Sequence, residues 1–151
     1  MVKVTVIIPT YNEIENIDSI LKAVRSSVPD AELLVVDDNS PDGTGQQADK
    51  TAAEIGRVRV LHRPGKEGLG TAYRDAFKLV LSGDTDVIIT MDADFSHDPQ
   101  TIPLFLDAIK NGAEIVVGSR YIKDGMSVNW PLHRLLLSKW GNRYTAFMLK
   151  I

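Results

Sequence analysis

Val87-Ile88-Ile89-Thr90-Met91-Asp92-Ala93-Asp94 is the stretch that decides the fold. A β-branched, apolar run ends in two carboxylates one residue apart. The run is far shorter than the ~18 apolar residues of a membrane span, and it reads as a buried strand over Asp86–Met91. Asp92 and Asp94 then stand at its carboxyl end.

Working outward, the same design recurs. Lys3–Pro9, Glu32–Asp37 and Val58–His62 precede it and Glu114–Gly118 follows, each β-branched and apolar enough for a buried strand. Helical signals separate them. Asn12 with Glu15 forms a capping-box pattern, and Ile17, Ile20, Leu21 and Val24 follow at i, i+3, i+4, i+7. Asp42 is placed to cap a second helix that ends near Gly56. A third helix follows Gly65–Gly70 and runs to about Leu81. Asp98-Pro99 opens a fourth, with Ile102, Phe105, Leu106 and Ile109 inward and Gly112 as its end. Five strands with four intervening helices predict a mostly parallel, doubly wound, Rossmann-like α/β sheet with helices on both faces. Ligands bind such sheets beyond the carboxyl ends of the strands, where the strand order reverses. The chemically capable residues collect at those ends: Tyr11 and Glu13, Asp37 and Asp38, Asp92 and Asp94, and Arg120.

Each of these has an ordinary reading beside the functional one. An isolated Asp-x-Asp is a weak metal motif, but at a strand exit both carboxylates can reach a hard divalent cation. Asp37 and Asp38 can accept from a nucleobase or ribose, or simply form a turn. Tyr11 can stack on a base. Glu13 serves equally as an acid at a helix N-terminus. Gly65–Gly70 matches neither the P-loop nor the dinucleotide fingerprint. His62, His97 and His133 lack metal-ligand spacing; His97 is singled out because it adjoins the Asp-x-Asp.

Charge is unevenly divided. Residues 1–119 carry 11 Lys/Arg against 19 Asp/Glu, a net of −8; residues 120–151 carry six against one, a net of +5. A basic tail on an acidic body suits an anionic partner or a solvated helix face. That tail also holds Leu132, Leu136, Trp140, Tyr144 and Phe147 in a stripe after Pro131, fit for a membrane surface or for packing against further protein. The chain has no cysteine, which removes disulfides and thiolate metal sites. No signal-peptide pattern or membrane span is present, so a cytoplasmic protein, peripheral on the cytoplasmic face of a membrane, is expected.

Taken together the residues resemble one family. Val-Ile-Ile-Pro-Thr-Tyr-Asn-Glu (6–13), Val-Val-Asp-Asp-Asn-Ser-Pro-Asp-Gly-Thr (35–44), Gly-Leu-Gly-Thr-Ala (68–72), Met-Asp-Ala-Asp-Phe-Ser-His-Asp-Pro (91–99), Gly-Ser-Arg-Tyr (118–121) and Asn-Trp-Pro-Leu-His-Arg (129–134) resemble, in order and spacing, the family 2 glycosyltransferases that make polyprenol- or dolichol-phosphate mannose. The resemblance implies a GT-A fold, with residues 1–119 as the nucleotide-sugar half and 120–151 as the start of an acceptor-side half that continues in family members. It implies that Pro9, Tyr11, Glu13, Val36 and Asp38 line a nucleoside pocket for GDP-mannose. Asp92, Ala93 and Asp94 would meet the ribose, diphosphate and a Mg²⁺ or Mn²⁺ ion, with Asp94 the primary ligand. Ser96 stands where some relatives place a metal-binding Gln. Arg120 and Arg134 would hold the acceptor phosphate or the sugar diphosphate. The implied reaction is inverting transfer of mannose to polyprenyl or dolichyl phosphate, at a membrane surface and without nucleic acid; a homo-oligomer stays open. The alternatives are another donor or acceptor within family 2, a non-catalytic nucleotide-binding fragment, and an Asp-dependent phosphatase. The last is suggested by a loose likeness of Asp92–Ser96 to the haloacid-dehalogenase motif, which normally follows a first strand and here follows the fourth.

Overall fold

The alternation of Val6, Ile7 and Ile8 along one strand sorts the core into two layers. The computed structural model describes residues 2–119 and 132–149. β1 (Val4–Thr10) is central in a four-stranded parallel sheet with β2 (Glu32–Asp37), β3 (Val58–His62) and β4 (Val87–Thr90), in the order β3-β2-β1-β4. Val6 and Ile8 of β1 and Leu33 and Val35 of β2 point to one face; Ile7, Leu34 and Val36 point to the other. The first face packs on α1 (Ile17–Ser27) and α2 (Thr44–Ile55), and also takes Ile102 of α4 (Ile102–Lys110). The second packs on Ala72, Ala76 and Val80 of α3 (Leu69–Leu81). Helices therefore cover both faces, as the sequence predicts. The predicted stripe Ile17, Ile20, Leu21, Val24 is wholly buried; each such side chain is worth about 1.5–3 kcal/mol of hydrophobic stabilisation.

Some local expectations fail. The first is the capping box. Asn12 adopts φ 60°, α1 begins only at Ile17, and Glu15 is exposed. The backbone N–H groups of Asn12, Glu13 and Ile14 are instead taken by Ser40 Oγ (3.1 Å), Thr44 Oγ1 (2.8 Å) and Asp42 Oδ2 (3.1 Å). Long-range acceptors have replaced the local ones. The second is a fifth strand. Residues 114–118 form none, and Ile115 and Val117 are 82% and 80% exposed. A β-branched run becomes a strand only where a ladder partner and a face to bury exist, and among the described residues β4 pairs with β1 alone.

The punctuation of α4 holds. Asp98 caps a 3-10 turn at Pro99–Thr101 that leads into α4, accepting from Gln100 N at 3.0 Å. Gly112 follows α4 at φ 97°, a conformation glycine adopts without strain. Asp42 does not occupy the cap position expected of it: Gly43 is the N-cap of α2, and Asp42, one residue earlier, accepts from Thr44 N at 3.0 Å. Residues divide into two compact units, Met1–Val116 and Val117–Ile151. In the second, α5 (Leu132–Leu149) exposes Leu136, Trp140, Tyr144 and Phe147, with Trp140 and Tyr144 stacked at 6.4 Å. No helix among the described residues is long and apolar enough to cross a membrane.

Candidate functional site

Strand order locates the crevice. Counting outward from β1, the chain runs through β2 to β3 on one side and then crosses to β4 on the other, so the order reverses between β1 and β4. Backbone bonds carry the ladder to the edge: Met91 N donates to Ile7 O (3.1 Å), Asp38 N to Thr10 O (3.1 Å) and Arg63 N to Asp37 O (2.8 Å). The exits of β1, β2 and β3 are level at Thr10, Asp37 and His62, while β4 ends opposite Ile7, so that the chain after Thr90 runs on alongside the end of β1. They bring together Pro9, Tyr11 and Glu13 from β1, Asp38 from β2, Arg63 from β3, and Asp92 and Asp94 from β4.

Adjacent acids at the β2 exit divide their work. Asp37 faces inward and accepts from Thr10 Oγ1 (3.1 Å), Ser40 N (3.0 Å) and Ser40 Oγ (2.5 Å), which makes it a brace. Asp38 is paired with Arg63, whose side chain is only 3% exposed. Arg63 also donates to Glu67 (3.0 Å) and Asp75 (3.2 Å). Burial alone would lower its pKa, but Asp38, Asp75 and Glu67 outweigh that and push it up. Lys66 Nζ lies 3.7 Å from the centre of the Tyr11 ring, a cation–π contact. The Glu13 carboxylate accepts from Asn16 Nδ2 at 2.9 Å.

At the β4 exit, Asp92 N donates to His97 Nδ1 at 3.0 Å, so in the neutral ring the proton sits on Nε2. Asp94 Oδ1 accepts from Ser96 N at 2.9 Å. The Ser96 side chain first, and then its backbone N–H, hold Asp94 below the usual carboxylate range and keep it charged. Ser96 thus orients Asp94. Burial, aided by the Asp92 charge, pushes the phenol of Tyr73 on α3 up.

Val36 and Ala93 are core residues, with side chains packed on α3 and on the α1 layer respectively. Arg120 lies outside the described residues. Arg134 falls within α5, but its side chain lies outside them. Arg63 and Lys66 were missed as site residues; a charged residue directly after the third strand was the available signal.

Among the described residues no three His, Cys, Asp or Glu gather as a metal cage. What stands at the switch point is a pair of carboxylates. That donor set fits Mg²⁺ or Mn²⁺, which are bound through one or two carboxylates with substrate phosphates supplying the remainder.

Residues 5–151 match the family model described as Glycosyl transferase family 2. The chain belongs to glycosyltransferase family 2. It is 48% identical over 97% of its length to the undecaprenyl-phosphate mannosyltransferase of Micrococcus luteus and to the polyprenol monophosphomannose synthase of Mycolicibacterium smegmatis, covering 60% and 56% of them. It is 42% identical to the dolichol-phosphate mannosyltransferase of Pyrococcus furiosus over 91% of its own length and 38% of that protein's. The family 2 chain thus spans about 60% or less of these curated relatives. Among solved structures, a Pyrobaculum calidifontis mannosyltransferase in complex with GDP-Man and Mn²⁺ superposes with a TM-score of 0.55 at 27% identity, over 61% of this chain and 27% of that one. TarS from S. aureus gives 0.62 at 22% identity, over 80% and 40%, a likeness of fold alone. The fold is the GT-A type of this family, and nothing in the comparisons favours the phosphatase alternative.

Proposed function

We infer that this domain is the donor-binding part of a mannosyltransferase that moves mannose from GDP-mannose to a polyprenyl or dolichyl phosphate, with inversion and with Mg²⁺ or Mn²⁺. The observation that carries this reading is the 48% identity to polyprenyl-phosphate mannosyltransferases across 97% of the chain. The crevice supports it. Asp38 and Asp92 leave strands that flank β1, two strand spacings or about 10 Å apart. A nucleoside can lie between them with its base toward Asp38 and its diphosphate toward Asp92 and Asp94. Tyr11, between the two, offers a ring for stacking.

Asp94 and Asp92 would hold the cation, which when bound offsets the charge that builds on the GDP leaving group. Ser96 keeps the Asp94 carboxylate ionised and aimed. His97, with Nδ1 committed to the backbone, presents an Nε2–H donor beside the diphosphate. The acceptor is a phosphate monoester whose second pKa is about 6, so it attacks the anomeric carbon already ionised. Its oxygen forms the new bond on the face opposite the departing GDP, which inverts the centre. No strong general base is needed, and the chain's task is positioning and electrostatics. Arg120 and Arg134 are assigned to the acceptor phosphate, since guanidinium forks match its oxygens. The exposed apolar residues of α5 and the basic tail are assigned to the membrane surface that carries the lipid, on its cytoplasmic side.

Calorimetry with GDP, UDP and ADP, with and without Mn²⁺, tests the donor half. Tight GDP binding that requires Mn²⁺ is the expected result. A transfer assay with GDP-mannose and polyprenyl phosphate tests the chemistry, by the appearance of lipid-linked mannose. Turnover of UDP-glucose in its place would refute the donor assignment, and tight GDP binding with no transfer would favour a non-catalytic nucleotide-binding module.

A further inference from the structure

Arg63 is a buried cation at the described sheet edge, and the chemistry above makes no use of it. It follows β3 directly, and its backbone bond to Asp37 O places it level with the β2 exit. All three guanidinium nitrogens are engaged: one Nη with Oδ1 of Asp38, the other Nη with Glu67 (3.0 Å), and Nε with Asp75 (3.2 Å). With 3% of its side chain exposed it can touch little but these acids. A buried ion cluster adds little to stability, because desolvation consumes most of the Coulomb gain. What this cluster does achieve is geometric. Asp38 Oδ1 is occupied, while Oδ2 accepts no hydrogen bond among the described residues and is not among the sealed, unsatisfied atoms. Glu67 belongs to the same loop as Lys66, which lies over Tyr11.

We propose that Arg63 is a positioning residue for nucleobase selection: it takes one oxygen of Asp38, leaves the other as a single aimed acceptor, and through Glu67 anchors the Gly65–Gly70 loop beside that acid. The proposal rests on the nucleotide-binding reading and sharpens it. A carboxylate oxygen with no proton accepts only from a donor. It favours bases with a ring N–H, as in guanine, hypoxanthine and uracil, over adenine, whose ring N1 on that edge is an acceptor and whose donor there is only the exocyclic amino group. Leaving an acceptor-only group against an acceptor imposes the full cost of an unmade bond.

Calorimetry on the whole chain with Mn²⁺ and GDP, IDP or ADP tests it. The unaltered protein is expected to bind GDP and IDP within about threefold of each other and ADP at least about a hundredfold more weakly, as hydrogen-bond mismatches in built sites do. Arg63→Met removes the fork while keeping the stem. It is expected to lower GDP affinity by about tenfold or more and to shrink the GDP:ADP ratio. Asp38→Asn combined with Arg63→Met is expected to be no worse than the poorer single change, since both act on one contact. Arg63→Lys keeps the charge and guards against a folding defect: its thermal midpoint is expected to hold while its GDP:ADP ratio falls. An unchanged ratio in Arg63→Lys and Arg63→Met overturns the role of Arg63. A general loss of fold would weaken all three nucleotides alike, leave the ratio intact, and overturn it too. If the unaltered protein fails to bind GDP with Mn²⁺, the donor reading itself falls.

Discussion

Asp94 and Asp38 show how neighbours give one residue type two different settings, each suited to the task proposed for it. Asp94 is exposed and is held charged by Ser96; Asp38 is buried and held by Arg63. Replacing Asp94 with Ala is expected to abolish the Mn²⁺-dependent part of GDP affinity while leaving metal-free affinity unchanged; calorimetry in the presence and absence of Mn²⁺ reads both. The acidic pair was legible in the sequence from its place after a buried run. The bonds that separate Asp37 as a brace from Asp38 as a presented acceptor were not, because Thr10, which holds Asp37, and Arg63, which holds Asp38, lie 27 and 25 residues away in the chain.

At the scale of elements, the segment 39–44 clamps the β1–α1 turn. Asp42 illustrates the clamp: burial pushes its carboxyl up, but bonds from the Thr44 hydroxyl and from the N–H groups of Thr44 and Ile14 overcome that and hold it low. A carboxyl lowered in the folded state stabilises above its unfolded pKa, near 4, and that contribution is lost as pH falls through the folded value. Asp42→Asn is therefore expected to weaken the protein at pH 7 and to flatten the acid limb of stability, measured by denaturant unfolding from pH 7 to pH 3. Gly45 at the start of α2 is a second test. A Cβ there would stand 2.9 Å from Asp37 Oδ2 and 3.1 Å from the His62 ring. Asp37 is fixed by Thr10 and Ser40, so the clash cannot relax cheaply. Gly45→Ala is expected to cost about 1–3 kcal/mol, the usual penalty of overpacking, visible as a lowered unfolding midpoint. An unchanged midpoint would mean that α2 is free to shift away from the sheet.

For the molecule as a whole, the residues proposed for the donor lie in Met1–Val116, and those proposed for the acceptor lie in Val117–Ile151. A division of labour follows. If Arg134 serves the acceptor phosphate, Arg134→Ala is expected to leave GDP affinity within about twofold, as for independent sites, and to reduce transfer to polyprenyl phosphate through a raised acceptor KM. Loss of GDP affinity in that variant would place Arg134 on the donor diphosphate instead.

The sequence by itself determined the doubly wound sheet, four of its strands, the buried stripe of α1 and the gathering of Tyr11, Asp38, Asp92 and Asp94 at one edge. Those follow from hydrophobic period and chain order, which are local. Tertiary structure alone decided the absence of a strand at 114–118, the failure of the Asn12–Glu15 capping box and the burial of Arg63 among three acids. Each depends on which distant group arrives as partner: a ladder edge for Ile115 and Val117, the side chains of Ser40, Asp42 and Thr44 for the β1–α1 turn, and the carboxylates of Asp38, Glu67 and Asp75 for Arg63. The Asp-x-Asp itself stands between the two cases. Its position was readable from Val87–Met91, and its preparation by Ser96 and His97 was not.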